Sequence, residues 1–146
     1  GLTDLLIGHV ELVDAVQLWG DTTLYLLPSG LRPPNPSELL GSKAMAKLIE
    51  RLGKEFDWVI FDAPPLLPVT DAALLARATS GALMVVASGK TTRHQLEAAT
   101  SLLEKVDARV GGLALTMVPQ NVSSYSYGSY GYGVEPTKRT SKVRSG

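Results

Sequence analysis

Trp58-Val59-Ile60-Phe61-Asp62-Ala63-Pro64-Pro65 is the stretch on which the fold of this chain turns. Four apolar residues in a row, with no polar alternation, read as a short strand buried on both faces, the habit of strands in a parallel sheet. Asp62 stops the run, and two prolines fix the direction in which the chain leaves and remove two backbone donors.

Working outward, the same grammar repeats. Leu24–Leu27 is a short apolar strand ended by Pro28-Ser29-Gly30, and Arg32-Pro33-Pro34-Asn35-Pro36 after it must be extended loop. A helix is predicted to start near Ser37 or Ser42. Its Met45, Leu48, Ile49 and Leu52 stand at i, i+3, i+4 and i+7, with Gly53 placed to cap its end. Thr70 or Asp71 can cap a short helix through Ala78. Ala82–Ala87 is a second fully apolar strand. Thr92 can cap a helix whose Leu96, Ala99, Leu103 and Val106 share one face, and Val110–Val118 is the last strand. Strands alternating with helices predict an α/β fold, a parallel sheet with helices on both faces and right-handed crossovers. Ligands then bind at the carboxyl edge of the sheet, where Asp62, the loop 88–92 and the segment after Val118 are expected to meet. Trp58 and Tyr25 are expected in strands and Trp19 in a loop, with core packing as their role.

The 146 residues suffice for one domain and a tail, divided here as 1–118 and 119–146. Neither a run of about eighteen apolar residues nor a charged-then-apolar leader is present, so no segment is expected to span a membrane or direct secretion. Zero cysteines exclude disulfides and thiolate metal sites and fit a reducing cytoplasm. His9 and His94 lie too far apart in sequence to suggest a histidine metal site. The net charge of zero hides an asymmetry. Residues 1–118 carry ten Lys/Arg against thirteen Asp/Glu, whereas 119–146 carry Lys138, Arg139, Lys142 and Arg144 against Glu135. The chain opens with Gly, which suggests a piece of something longer.

That tail holds four of the five tyrosines, Tyr125, Tyr127, Tyr130 and Tyr132, among Ser126, Gly128, Ser129, Gly131 and Gly133. A Ser/Gly segment of this kind is expected to be disordered and offers no surface to bury a phenol ring, so modification is the plainest use for these hydroxyls. Asp62 suits the presentation of a carboxylate to a hydrated Mg²⁺, and it can equally terminate a strand and cap the next turn. Asp71 can be a second acidic group near a nucleotide, or the first-turn carboxylate that a helix dipole favours. Gly89-Lys90-Thr91 copies the end of a phosphate-binding loop. The first glycine of that loop would fall on Met84, inside a strand whose amides the ladder uses, so the segment is read as a strand-to-helix connection.

Four stretches together carry a resemblance: the opening Gly-Leu-Thr-Asp-Leu-Leu, the phrase from Leu31 to Ser42, Phe56 to Pro65, and the tyrosine cluster. From Gly1 to about Tyr132 the chain resembles the bacterial tyrosine kinases of capsule and exopolysaccharide biosynthesis. The resemblance implies a P-loop NTPase-like domain of the deviant, partition-ATPase type, here incomplete at its N-terminus. It implies that Asp62 is the Walker B aspartate holding Mg²⁺ through water, that Asp71 lies in the family's Thr-Asp-Ala step, and that Tyr125, Tyr127, Tyr130 and Tyr132 are autophosphorylation acceptors. Thr116 and Pro119 fall where related ATPases read adenine, but Thr116 has one hydroxyl where an Asn offers a donor and an acceptor. The family's Walker A loop and Asp-x-Asp motif lie upstream of the matching region. ATP and Mg²⁺ binding therefore require motifs outside this sequence, and the chain by itself is expected to be inactive. The implied partners are a membrane chain-length determinant, further copies in a ring and a cognate phosphatase, at the cytoplasmic face of the membrane, with no nucleic acid. Two other functions suit the same residues: a partition or septum-positioning ATPase, and a non-enzymatic phospho-acceptor or scaffold.

Overall fold

Ser42 begins the longest helix of the N-terminal half by accepting the Met45 N–H at 3.2 Å on its Oγ, a side-chain cap. In the computed structural model, which describes residues 1–119, that helix (α4, Lys43–Glu55) follows five shorter elements. These are α1 (Leu2–Leu6), α2 (Leu12–Ala15), β1 (Gln17–Leu18), β2 (Tyr25–Leu26) and α3 (Pro36–Leu40). After it come α5 (Asp71–Ala78), β3 (Ala82–Ala87), α6 (Arg93–Lys105) and β4 (Val110–Thr116). Both predicted starts near Ser37 and Ser42 are used: Pro36 opens α3, where its fixed φ suits the first turn, and Gly41 separates α3 from α4.

The α4 face read from the spacing is the buried one. Met45, Leu48 and Leu52 join Leu12 of α2 and Leu75 of α5 in one core, with Ile49, Phe56 and Phe61 packed beside it. A second core gathers Ala76 of α5, Leu103 of α6 and Ala108, with Ala82 and Met84 of β3 against it. α5 thus contributes neighbouring residues to both cores and ties the two halves together.

β3 and β4 pair in parallel from Ala82↔Val110 to Ala87↔Thr116, with an irregularity between Ala82 and Leu83. The connection between them contains α6 (Arg93–Lys105). Thr92 and Gln95 close a capping box at its start. At its end the N–H of Ala108 donates to Leu103 O and that of Asp107 to Glu104 O, at 2.9 and 3.0 Å. This is the double bond of a Schellman motif, with Asp107 at φ 55 in the place usually held by glycine.

Several expectations need correction. Gly53 lies inside α4, and Phe56 is the residue that ends it. The Leu24–Leu27 strand shortens to Tyr25–Leu26 and pairs antiparallel with Gln17–Leu18 in a small hairpin. β4 ends at Thr116, two residues early, because Met117 turns to φ 55. Trp58–Phe61 forms no strand among the described residues: its backbone has no ladder partner, and Trp58 and Ile60 are each 88% exposed. Core packing likewise fails for Trp58, for Trp19 (60% exposed) and for Tyr25 (48%), whose ring meets Phe56 in an edge-to-face pair at 5.6 Å between centroids. An apolar side chain is buried only where a second layer faces it. Here α5 and α6 cover one side of β3, while Leu83 and Val85 project from the other side into solvent.

Candidate functional site

The carboxyl ends of β3 and β4 are knitted together. The N–H of Ser88 donates to Thr116 O at 2.8 Å, and the Thr116 hydroxyl donates back to Val86 O at 3.3 Å. The loop 88–92 and the exit of the last strand therefore share one edge, as predicted. Thr116 spends its only proton on a main-chain carbonyl, so its oxygen can serve a ligand only as an acceptor. Pro119 is exposed three residues further on.

The Gly89-Lys90-Thr91 turn is closed on itself. The N–H groups of Lys90 and Thr91 both donate to Ala87 O, at 3.2 and 2.9 Å, Thr91 Oγ1 accepts from Ala87 N–H, and Gly89 takes φ 72. With the Lys90 and Thr91 amides spent, the turn lacks the set of free N–H groups that cradles a phosphate, in agreement with the sequence reading.

Asp62 emerges from the apolar run with an exposed carboxylate that has no hydrogen-bond or ion-pair partner among the described residues. Phe61 before it is anchored in the α4 core, which fixes where the carboxylate departs from the protein. A single hard, hydrated oxygen donor is what Mg²⁺ uses when it keeps most of its waters. No group of three or more His, Cys, Asp or Glu able to cage a metal occurs among the described residues. The donor set thus fits a water-mediated Mg²⁺ and not a directly ligated transition metal.

Asp71 differs. It opens α5, where the helix dipole favours a carboxylate, and its Oδ1 accepts the Ser37 hydroxyl at 2.5 Å. Ser37 Oγ also lies 3.5 Å from Thr70 Oγ1. Thr70 itself makes no side-chain cap. The chain after Asp62 comes close to this pair, since Pro64 lines the same shallow groove as Asp71, Thr3, Arg32 and Pro33. No hydrogen bond joins Asp62, Asp71 and Thr116 to one another. The Ser37 partnership and the approach of Arg32 to the groove were not read from the sequence, because each rests on contacts tens of residues away. Tyr125, Tyr127, Tyr130 and Tyr132 lie outside the described residues.

No model of a known protein family matches the chain. Individual relatives do. The tyrosine-protein kinase CpsD of Streptococcus agalactiae is 36% identical over 132 residues, 90% of this chain and 58% of its own length. The tyrosine-protein kinase YwqD of Bacillus subtilis is 39% identical over 132 residues, 90% of this chain and 55% of its own length. Among solved structures, the kinase domain of the Escherichia coli tyrosine kinase ETK superposes with a TM-score of 0.79 at 35% identity, covering 88% of this chain and 51% of that one. The chimerical protein CapA2B2 gives 0.78 at 34% identity, covering 82% and 53%. The chain spans about half the length of the curated relatives it matches.

Proposed function

Because this chain belongs to the bacterial tyrosine kinase family, we propose that it is the part of an ATP-dependent protein-tyrosine autokinase that carries the Mg²⁺-orienting aspartate and the acceptor tail. The observation that carries the reading is the unpartnered, exposed carboxylate of Asp62 at the end of an anchored apolar run. Kinase relatives favour it over a partition ATPase, which has no need of clustered tyrosines.

Phosphoryl transfer depends on positioning and on neutralising charge. Mg²⁺, when bound, would supply positive charge to offset the charge that develops on the phosphate oxygens. Asp62 would hold that ion through one of its waters, by accepting a hydrogen bond. Asp71 acts through Ser37, holding the proline-rich loop against the chain that leaves Asp62. Thr116 and Pro119 border the nucleotide at the sheet edge, where Thr116 accepts a hydrogen bond and donates none. In the transfer itself a phenol oxygen of Tyr125, Tyr127, Tyr130 or Tyr132 forms a bond to the γ-phosphorus. The bond to the bridging oxygen breaks, ADP leaves, and the phenol proton passes to solvent.

Regulation of capsule or exopolysaccharide polymerisation and export is the cellular role that we assign, by analogy with the family. It places the protein at the cytoplasmic face of the membrane beside a chain-length determinant, in a ring of copies, with a phosphatase to reset it. No helix among the described residues is long and apolar enough to cross a membrane. Each phosphotyrosine adds about −1.5 to −2, so four would carry residues 119–146 from a formal +3 to roughly −3 to −5. A basic segment then becomes acidic, a change able to release it from an acidic neighbour.

The test is phosphotyrosine mapping by mass spectrometry on the protein as its host makes it, after incubation with Mg-ATP. Phosphate on the four tail tyrosines is expected. Unmodified tyrosines throughout would overturn the reading.

A further inference from the structure

We propose that the groove between α2, the β1–β2 hairpin and the end of α4 is a docking site for this chain's own basic segment, Lys138–Arg144, and that phosphate on the nearby tyrosines expels it.

The groove, of about 380 Å³, takes apolar walls from Leu12, Val13, Val16, Tyr25 and Phe56. Val13 stands 75% exposed there, an apolar side chain with nothing over it among the described residues. Arg51, which also lines the groove, gives its charge to Glu55 at 2.7 Å. Glu11 and Asp14, on either side of Leu12 and Val13, are exposed and have no ion-pair partner among the described residues. Glu55 foremost, with Glu11 adding to it, holds the Arg51 guanidinium above its ordinary value, so Glu11 stands near the one cation of the groove.

The sequence makes this surface one-signed and the occupant its opposite. Residues 1–31 hold Asp4, Glu11, Asp14 and Asp21 without a single Lys or Arg. Residues 136–146 hold Lys138, Arg139, Lys142 and Arg144 without an acid, and Val143 to meet an apolar wall. Charge separated in this way draws the two stretches together. The same acids repel nucleic acid and anionic lipid, which removes both as occupants of the groove.

Reach and tethering decide which copy supplies the segment. α5 leads into β3 within three residues and packs Ala76 against Ala82 and Met84, so it runs opposite to the strand. Asp71 therefore lies at the end where β3 and β4 finish and the tail departs. The Ser37–Asp71 bond brings α3 and the start of α4 to that end. From there α4, thirteen residues and about 20 Å long, leads to Glu55 and the groove. The eighteen residues 120–137 can span up to about 60 Å, enough to cover that distance. A tether supplies an effective concentration on the order of millimolar. A contact too weak to hold a separate molecule is thus filled by the chain's own segment.

Phosphorylation changes the sign of the balance. Each phosphate adds about −1.5 to −2, and Tyr132 is six residues from Lys138. The acids that held the segment then repel what precedes it. This release, unlike the docking, rests on the kinase reading.

The test uses the protein as its host makes it, treated with phosphatase, with a photo-crosslinking amino acid replacing Val13. Glu97, exposed on α6, is the control position. The Val13 position should cross-link to residues 136–146 of the same chain at least about tenfold more than the Glu97 position does. Glu11→Lys with Asp14→Lys should lower that yield at least about tenfold. Cross-linking at the Glu97 level, cross-links only between two copies, or a yield that the two lysines leave unchanged would overturn the docking. Tyr125→Glu, Tyr127→Glu, Tyr130→Glu and Tyr132→Glu together should lower the yield at least about threefold, and an unchanged yield would overturn the release. Since no arm reads phosphoryl transfer, a failure here is distinct from a failure of the kinase reading.

Discussion

Ser37 and Asp71, thirty-four residues apart, are joined by a 2.5 Å hydrogen bond in which the serine hydroxyl donates to the carboxylate. The bond fastens α3 to the first turn of α5, and with it the proline-rich loop to the groove beside Pro64. It turns a helix-starting aspartate into the anchor of a tertiary contact.

Loss of that donor should be measurable. A hydrogen bond to a charged group at a half-buried site contributes about 1–2 kcal/mol. Ser37→Ala should lower the free energy of unfolding in urea by that amount, and Asp71→Asn, which keeps an oxygen acceptor, by less. An unchanged midpoint for Ser37→Ala would show that the contact is not formed in solution.

Asp107 offers a change in the opposite direction. It holds φ 55 at the end of α6, a conformation that an L side chain enters at a cost and glycine enters freely. Asp107→Gly should stabilise the protein by about 0.5–1 kcal/mol, after the larger entropy of the unfolded chain is counted. A destabilised variant on thermal melting would mean that the aspartate side chain supports the turn in a way that its geometry does not show.

Met45 and Trp58 reverse the usual ranking of aromatic over aliphatic core residues. Met45 is fully buried, and Met45→Ala should cost about 2–5 kcal/mol. Trp58→Ala, at a site 88% exposed, should change the stability of the isolated chain by no more than about 0.5 kcal/mol. Equal losses from the two changes in chemical denaturation would contradict the exposure of Trp58.

These residues also show what could be read before any coordinates. The apolar spacing of Met45, Leu48 and Leu52 identified the buried face of α4, and Thr92 with Gln95 marked the start of α6, because both signals lie within one or two helical turns. The limits of β3 were legible for a similar reason: an apolar run bounded by Gly81 and Ser88. Trp58–Phe61 was not legible in the same way. Its composition predicts a strand and the structure has none there, because strand formation requires a partner that sequence pattern does not supply, and none lies among the described residues. Trp19 and Tyr25 failed as core residues for the same reason, the absence of a facing layer. At the candidate site, the meeting of Thr116 with the loop 88–92 followed from strand order. Ser37 was hidden because no local rule pairs it with Asp71.

The central claim is that the Asp62 carboxylate orients the metal that makes phosphoryl transfer to the tail possible, and the most direct test compares Asp62→Asn with the unaltered protein from the same host by phosphotyrosine mapping. Asn keeps the size of the side chain but loses the charge that holds a hydrated cation. The account predicts that phosphate disappears from Tyr125, Tyr127, Tyr130 and Tyr132 while the melting temperature stays the same. Full tail phosphorylation in the Asp62→Asn protein would contradict it.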